Sequence, residues 1–172
     1  AMILSVSLSG HALDIQGFPY FIAALVILFF TGLKDDLIGL SPFKKMIAQI
    51  ISIILIIFGC DLTINNFYGV LGLDSLPVWG AVGITIFTMV VIINSYNLID
   101  GIDGLAGGIG LTASLLFSVI FWTAGLMEVA VVASLLSLAL LGFLLHNRHP
   151  ASIFMGDTGS LIVGFVLAFL AV

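Results

Sequence analysis

Charged residues are scarce in this sequence. Lys, Arg, Asp and Glu make up 8% of the 172 residues, whereas a soluble domain typically contains about 25%. The hydrophobic share is 62% and the mean hydropathy is +1.36. These values exclude a soluble globular domain, a disordered chain and a coiled coil, and they predict a helical membrane protein.

Cysteine and basic residues are nearly absent. Cys60 is the single cysteine, so no disulfide can form within the chain. The formal net charge of −5 excludes nucleic acid as a partner, because nucleic-acid binding needs a basic surface. Residues 1–8 are apolar but no basic segment precedes them. This pattern argues against a signal peptide and favours the end of an earlier membrane span.

Hydropathy predicts five complete membrane spans and a sixth that is cut short. A membrane helix needs about 20 residues, so the shorter apolar runs should extend into their flanks. We place the spans at residues 18–33, 46–60, 78–93, 109–126, 129–145 and from 161 onwards. The predicted fold is an all-α, polytopic transmembrane protein. Residues 1–172 would form one integral-membrane domain, truncated at both ends.

The few basic residues predict how the chain is oriented. If the spans alternate in direction, all four lie on one side, which the positive-inside rule assigns to the cytoplasm. These residues are Lys34, Lys44, Lys45 and Arg148. The same alternation brings five acids to that side: Asp35, Asp36, Asp100, Asp103 and Asp157. The opposite side receives Asp14, Asp61, Asp74 and Glu128.

Five carboxylates on one membrane surface predict a functional site. A single Asp at the end of a span is most simply solvated, but ionisable groups at a membrane are costly and usually functional. Gathered carboxylates repel one another unless a cation is present. Oxygen ligands without His or Cys suit Mg²⁺ or Mn²⁺. Together with nearby lysines, such a site would bind phosphates, and its position allows one substrate to be a lipid.

Segment 94–108 carries two of these acids. Asp100 and Asp103 are three residues apart and would share a face if the segment is helical. Asn94 and Asn97 repeat that spacing one turn earlier. The glycines that follow either let backbone N–H groups approach an anion or pack helices through the GxxxG pair at residues 104 and 108.

Segment 146–160 and the lysine pair each allow two interpretations. Asp157 precedes the last span, where helix capping is the structural alternative to a functional role. Phe154 can stack on a base or can be an interfacial aromatic. Lys44 and Lys45 satisfy the positive-inside rule and can also hold an anionic lipid head group.

Three segments in this order resemble one enzyme family. DDLIGLSPFKK, NSYNLIDGIDGLAGG and HPASIFMGDTGS are similar to motifs of the polyprenyl-phosphate N-acetylhexosamine-1-phosphate transferases. The motif HPA-IFMGD is more similar to the bacterial undecaprenyl-phosphate GlcNAc-1-phosphate transferases than to the phospho-MurNAc-pentapeptide transferases. The second group is the alternative. The family's N-terminal spans and its C-terminal His/Arg-bearing loop have no counterpart in these 172 residues.

The resemblance implies a reaction and a location. A UDP-N-acetylhexosamine would donate its sugar-1-phosphate to undecaprenyl phosphate and release UMP, with Mg²⁺ or Mn²⁺ as cofactor. This step would initiate synthesis of a cell-envelope polysaccharide. The enzyme would lie in the bacterial cytoplasmic membrane with its site facing the cytoplasm, and a homodimer is compatible with this reading.

The resemblance also implies residue roles. Asp157 would bind the metal, and Asp35 and Asp36 would lie at the carrier phosphate. Asp100 and Asp103, with Asn94 and Asn97, would hold the nucleotide-sugar, and Phe154 would lie near the uracil. Because a phosphate monoester is mostly ionised at neutral pH, we expect Asp35 to orient or to act electrostatically. A two-step transfer through an aspartyl-phosphate is the alternative.

Three other classes compete with this interpretation. A CDP-alcohol phosphatidyltransferase would need an Arg where Asp103 begins DGLAGG, so that match fails. A transporter would carry its acids near the bilayer midplane, whereas these acids all lie at one surface. A non-catalytic membrane subunit is the third alternative.

Overall fold

The computed structural model describes residues 17–67 and 75–172, and these residues form an all-helical bundle. The helices are α1 (Phe18–Ile38), α2 (Pro42–Gly59), α3 (Val78–Ile99), α4 (Leu105–Thr123), α5 (Met127–Asn147) and α6 (Gly156–Ala171). Within the described residues the only β pairing is one isolated bridge between Asn66 and Ser75. The predicted all-α class is confirmed. Asp14, Asp74 and residues 1–8 lie outside the described ranges.

Each predicted span corresponds to one helix. Helices α2, α3, α4 and α5 are long and apolar enough to cross a membrane. Helix α6 is shorter, with 16 residues, and α1 carries Lys34, Asp35 and Asp36 near its C-terminal end. Every helix extends beyond its predicted span at the acid-bearing end. Some of the polar residues there, such as Asn97 and Asp157, bond with each other, and hydropathy does not detect such contacts.

Helix α6 lies at the centre of the bundle. It packs mainly against α1 and α3, while α1 pairs with α2 and α4 pairs with α5. Nearly all its residues from Ser160 to Leu170 are buried. A helix that is apolar on all sides is expected to be buried, and α6 is enclosed by protein rather than by lipid. The predicted sixth span is therefore a buried element of the bundle, in contact with α1, α3, α4 and α5.

Two glycines let α6 approach its neighbours closely. A Cβ at Gly32 of α1 would lie 2.5 Å from the Thr158 Cα, and a Cβ at Gly164 of α6 would lie 3.1 Å from the Ile93 Cα of α3. Small residues at helix crossings permit such backbone approach in membranes. These crossings hold α6 against α1 near its N-terminal end and against α3 near its middle.

Gly108, the second glycine of the GxxxG pair, does not pack against α5. A Cβ at Gly108 would meet nothing within 4 Å, whereas a Cβ at Gly107 would lie 2.9 Å from the Leu144 Cδ2 of α5. The interface therefore uses the glycine one position earlier. The reason is the rotation of α4, which the spacing of two glycines does not specify.

Candidate active site

The ends of α1, α2, α3 and α6 meet at one end of the bundle. The Lys45 ammonium of α2 lies 3.1 Å from the Asp157 Oδ1 of α6 and forms a second ion pair with the Asp35 carboxylate of α1. From α3, the Asn97 amide donates to the same Asp157 Oδ1 at 2.5 Å and to the Ser160 Oγ at 2.7 Å. Residues from all three sequence motifs thus come together around Asp157.

The Asp157 side chain points to these neighbours and does not cap its own helix. Asp157 is the second residue of α6, and the residue at the N-cap position, Met155, makes no side-chain capping bond. Helix capping by Asp157, the structural alternative, is therefore not observed. One carboxylate oxygen receives bonds from a cation and an amide, which holds the group in a defined orientation.

Asp36 provides the cap that Asp157 does not. Its Oδ1 accepts the Asp157 N–H at 2.8 Å, and its Oδ2 accepts the Thr158 N–H at 3.0 Å and the Thr158 hydroxyl at 2.5 Å. The first N–H groups of a helix have no partner within the helix, and the positive end of the helix dipole favours a carboxylate. Gly156, at φ 66°, belongs to this contact, since a Cβ there would lie 3.1 Å from both Asp36 oxygens.

Asp35 is occupied by protein donors. Its side chain is 7% exposed, and it accepts the Leu40 N–H in addition to the Lys45 ammonium. The Leu40 contact closes the turn between α1 and α2. Asp35 therefore holds Lys45 in place.

Asp100 lies directly after α3 and faces the start of α6. The backbone N–H of Gly156 interacts with its carboxylate. Burial raises the pKa of Asp100, and the negative charges of Asp157 and Asp36 raise it further. This repulsion would be relieved by a cation between the carboxylates.

Asp103 is separated from Asp100 because α3 ends at Ile99. Residues 100–104 are turns, so the helical face that the two acids would share does not form. Asp103 instead accepts the Ala151 N–H at 3.1 Å and lies 3.1 Å from the His149 Nδ1. The Ala151 N–H and then His149 lower the pKa of Asp103. Asp103 thus joins the loop after α3 to the loop before α6.

The remaining predicted residues lie outside this network. Lys44 is exposed at the start of α2, and the Phe154 side chain is 72% exposed in the loop before α6. Asn94 lies one turn further into α3, and its amide pairs with that of Gln49 on α2 through bonds of 2.9 and 3.3 Å.

Sequence reasoning missed Gln49 and Asn147. Gln49 is fully buried, and Asn147 is 4% exposed. Asn147 accepts the Gly104 N–H at 3.0 Å and donates to the Ile153 carbonyl at 2.9 Å, so it joins the same two loops as Asp103. Gln49 could have been predicted from the sequence because it is a lone amide in an apolar span. Asn147 could have been predicted because it is a polar residue at the end of a span.

Comparison with known proteins decides the family. The family model described as glycosyl transferase family 4 matches residues 18–172. The chain belongs to this family. This membership and the four apolar helices make it a multi-pass helical membrane protein.

Curated relatives of this family 4 protein carry two kinds of name. It is 32% identical to a phospho-N-acetylmuramoyl-pentapeptide-transferase of Halalkalibacterium halodurans, over 99% of this chain and 58% of that protein. It is 34% identical to a decaprenyl-phosphate N-acetylglucosaminephosphotransferase of Mycobacterium tuberculosis, over 88% of this chain and 40% of that protein. The chain therefore spans about half the length of the curated relatives it matches. The resemblance deduced from the three motifs is confirmed.

Two carboxylates of this site could hold a hard divalent cation. Among the described residues, no group of three or more His, Cys, Asp or Glu side chains is arranged to hold a metal. Mg²⁺ usually takes only one or two carboxylates and completes its shell with water and substrate phosphates. Asp157 and Asp100, which repel each other electrostatically, fit that smaller donor set.

Proposed function

We propose that this family 4 protein transfers GlcNAc-1-phosphate from UDP-GlcNAc to undecaprenyl phosphate and releases UMP. The observation that carries the proposal is the convergence of Lys45 and Asn97 on Asp157, where three acidic helix ends meet. An oriented carboxylate, a fixed ammonium and a cluster of further acids are the parts that phosphoryl transfer needs, since it depends on positioning and charge stabilisation.

The proposed transfer is direct. An oxygen of the carrier phosphate attacks the phosphorus that bears the sugar, the bond from this phosphorus to the bridging oxygen breaks, and UMP leaves with that oxygen. The carrier phosphate is mostly ionised at neutral pH, so no residue has to remove a proton. Asp35 keeps Lys45 beside Asp157, where the ammonium can stabilise negative charge on the transferred group.

Asp157 and Asp100 are the residues proposed to hold Mg²⁺ or Mn²⁺. When bound, the metal would neutralise charge on the diphosphate oxygens. Asp36 would support the site through Asp157, because it bonds to the backbone of that residue.

Substrate contacts are proposed for exposed residues around this centre. The Phe154 ring, 72% exposed, would stack on uracil. Asp103, which contacts the loop that carries Phe154, would lie near the nucleotide. Lys44, exposed at the start of α2, would hold the carrier head group. We place the site at the cytoplasmic face of the bacterial inner membrane, in a single chain or a homodimer.

The assignment of GlcNAc as the transferred sugar rests on the motif HPASIFMGD and on the name of the mycobacterial relative. The name of the Halalkalibacterium relative supports UDP-MurNAc-pentapeptide as the alternative donor. The complete protein in detergent should be incubated with undecaprenyl phosphate, Mg²⁺ and a panel of UDP-sugars. We expect UMP release with UDP-GlcNAc and little with the pentapeptide donor. Comparable turnover of the pentapeptide donor would overturn the sugar assignment, and no UMP with any donor would overturn the activity.

A further inference from the structure

The paired amides of Gln49, which is buried, and Asn94, which is exposed, form a second polar contact one helical turn from the proposed active centre. The Asn94 Nδ2 donates to the Gln49 Oε1 at 2.9 Å, and the Gln49 Nε2 donates to the Asn94 Oδ1 at 3.3 Å. Asn94 also donates to the Val90 carbonyl of its own helix at 2.8 Å. Both polar ends of each side chain are therefore engaged within the protein.

This pair lies one helical turn from the groups that hold Asp157. Gln49 follows Lys45 by four residues on α2, and Asn94 precedes Asn97 by three residues on α3, so each pair shares a helix face. The outer contact is Lys45 and Asn97 on the Asp157 Oδ1, and the inner contact is Gln49 on Asn94. The two contacts follow each other along the interface between α2 and α3, which we call the α2–α3 seam.

The inner contact is well placed to set the register of α2 against α3. These helices touch each other much less extensively than α1 touches α2. Gln49 is fully buried, and an unpaired amide in such a position is unfavourable. A slide or rotation of α2 would break the amide pair and would move the Lys45 ammonium away from Asp157.

We infer that Gln49 and Asn94 are positioning residues, which hold Lys45 and Asn97 on Asp157 for the transfer reaction. The inference rests on the proposed function. It assigns Asn94 a role through Gln49 rather than through contact with the nucleotide-sugar.

The test is a mutant cycle in the complete protein, measured as UMP release from UDP-GlcNAc and undecaprenyl phosphate. Gln49→Leu removes the pair. Gln49→Asn makes the reach too short, Asn94→Gln makes it too long, and the double variant Gln49→Asn with Asn94→Gln restores the combined length. We expect each single variant to lose about ten- to a hundredfold in kcat, since small displacements of catalytic groups have effects of that order. The KM for UDP-GlcNAc should stay within about threefold, and the double variant should recover most of the kcat.

A matched control removes a different polar contact between helices. The Ser118 hydroxyl on α4 lies 2.6 Å from the Ser134 hydroxyl on α5, away from the α2–α3 seam. Ser118→Ala should keep wild-type kcat and KM, which separates positioning from a general loss of interhelical bonding. Thermal unfolding in detergent monitors folding, and if Gln49→Leu does not fold, the swapped pair still decides.

Two results would overturn the inference. One is normal kcat in the Gln49 variants, and the other is a raised KM for UDP-GlcNAc in Asn94→Gln that the double variant does not repair. The second result would make Asn94 a substrate contact. An inactive wild-type protein would instead refute the proposed function, so the two failures are distinguishable.

Discussion

A carboxylate at a helix N-terminus can serve the helix or a ligand, and two residues divide these tasks at the start of α6. Asp36 accepts the free N–H groups of Asp157 and Thr158. The Asp157 side chain is thereby left for Lys45 and Asn97. The Asp36 carboxylate stabilises the end of α6, and the Asp157 carboxylate is available to a substrate or a cation.

Asp157→Asn tests the proposed metal role. Asn keeps the size of the side chain and an oxygen for the Lys45 and Asn97 donors, but it removes the charge that a divalent cation requires. We expect activity of the complete protein to fall by orders of magnitude, because metal neutralisation of the phosphates contributes several kcal/mol. UMP release over a range of Mg²⁺ concentrations measures this, and added Mg²⁺ should partly restore activity. Near-normal turnover at low Mg²⁺ would move the metal to other acids.

Asp36→Ala tests the cap. The variant leaves two N–H groups and the Thr158 hydroxyl without their acceptor, and losing a cap costs about 0.5–2 kcal/mol. We therefore expect a lower thermal unfolding temperature in detergent, with a smaller decrease for Asp36→Asn, which retains one acceptor oxygen. Unchanged unfolding of Asp36→Ala would show that the α6 terminus finds its partners elsewhere.

At the scale of elements, the crossing of α1 and α6 positions this cap. Gly32 is one helical turn before Asp36, and its Cα side lies against the backbone of Asp157 and Thr158. The close approach brings the Asp36 carboxylate within bonding distance of the α6 N–H groups. A side chain at this crossing would separate the two helices where the acids meet.

Gly32→Ala should therefore lower both stability and activity. Its Cβ would lie 2.5 Å from the Thr158 Cα, and overpacking of this kind typically costs about 1–3 kcal/mol. Gly83→Ala in α3 is the matched control, because a Cβ there would meet nothing within 4 Å and Ala favours a helix over Gly by about 1 kcal/mol. The unfolding temperature and the rate of UMP release should decrease for Gly32→Ala. Both should stay the same or increase for Gly83→Ala. Equal behaviour of the two variants would contradict tight packing at the crossing.

For the whole molecule, the acid-bearing helix ends and all four basic residues share one end of the bundle. The opposite end holds Gly17, whose carbonyl lies 3.6 Å from the Cys60 thiol, and the exposed Trp79. This arrangement confirms the shared sidedness of the described charges that alternation of the spans predicted. The positive-inside rule favours the cytoplasm for this end, and that assignment is a prediction.

Cysteine labelling checks that assignment. After Cys60→Ala, single cysteines replacing the exposed residues Ile38, Ile102 and Ile153 should react with an impermeant reagent only from the cytoplasmic side. Trp79→Cys is the control and should react only from outside. Labelling of any of the first three from outside would contradict a single cytoplasmic site.

Much of the fold and of the site was predictable from local sequence properties. Apolar runs located the six helices of the described residues, because a helix that crosses the bilayer needs about 20 apolar residues. Alternation of spans brought Asp35, Asp100 and Asp157 to one end. The motif wording led to the family, which the comparison of residues 18–172 confirmed.

Only the tertiary structure decided which polar groups contact each other. Helix rotation and crossing distance depend on the packing of all the neighbouring helices. The spacing of residues in the sequence therefore did not predict that α6 is buried, that Asp36 caps it or that Gln49 pairs with Asn94. Asp100 and Asp103 do not share a helix face because α3 ends at Ile99, and Asp103 bonds to Ala151 instead. The sequence by itself determined which chemical groups reach the membrane surface, since that depends on hydropathy and charge along one chain. Their pairing depends on contacts between helices distant in sequence, and those exist only in the folded bundle.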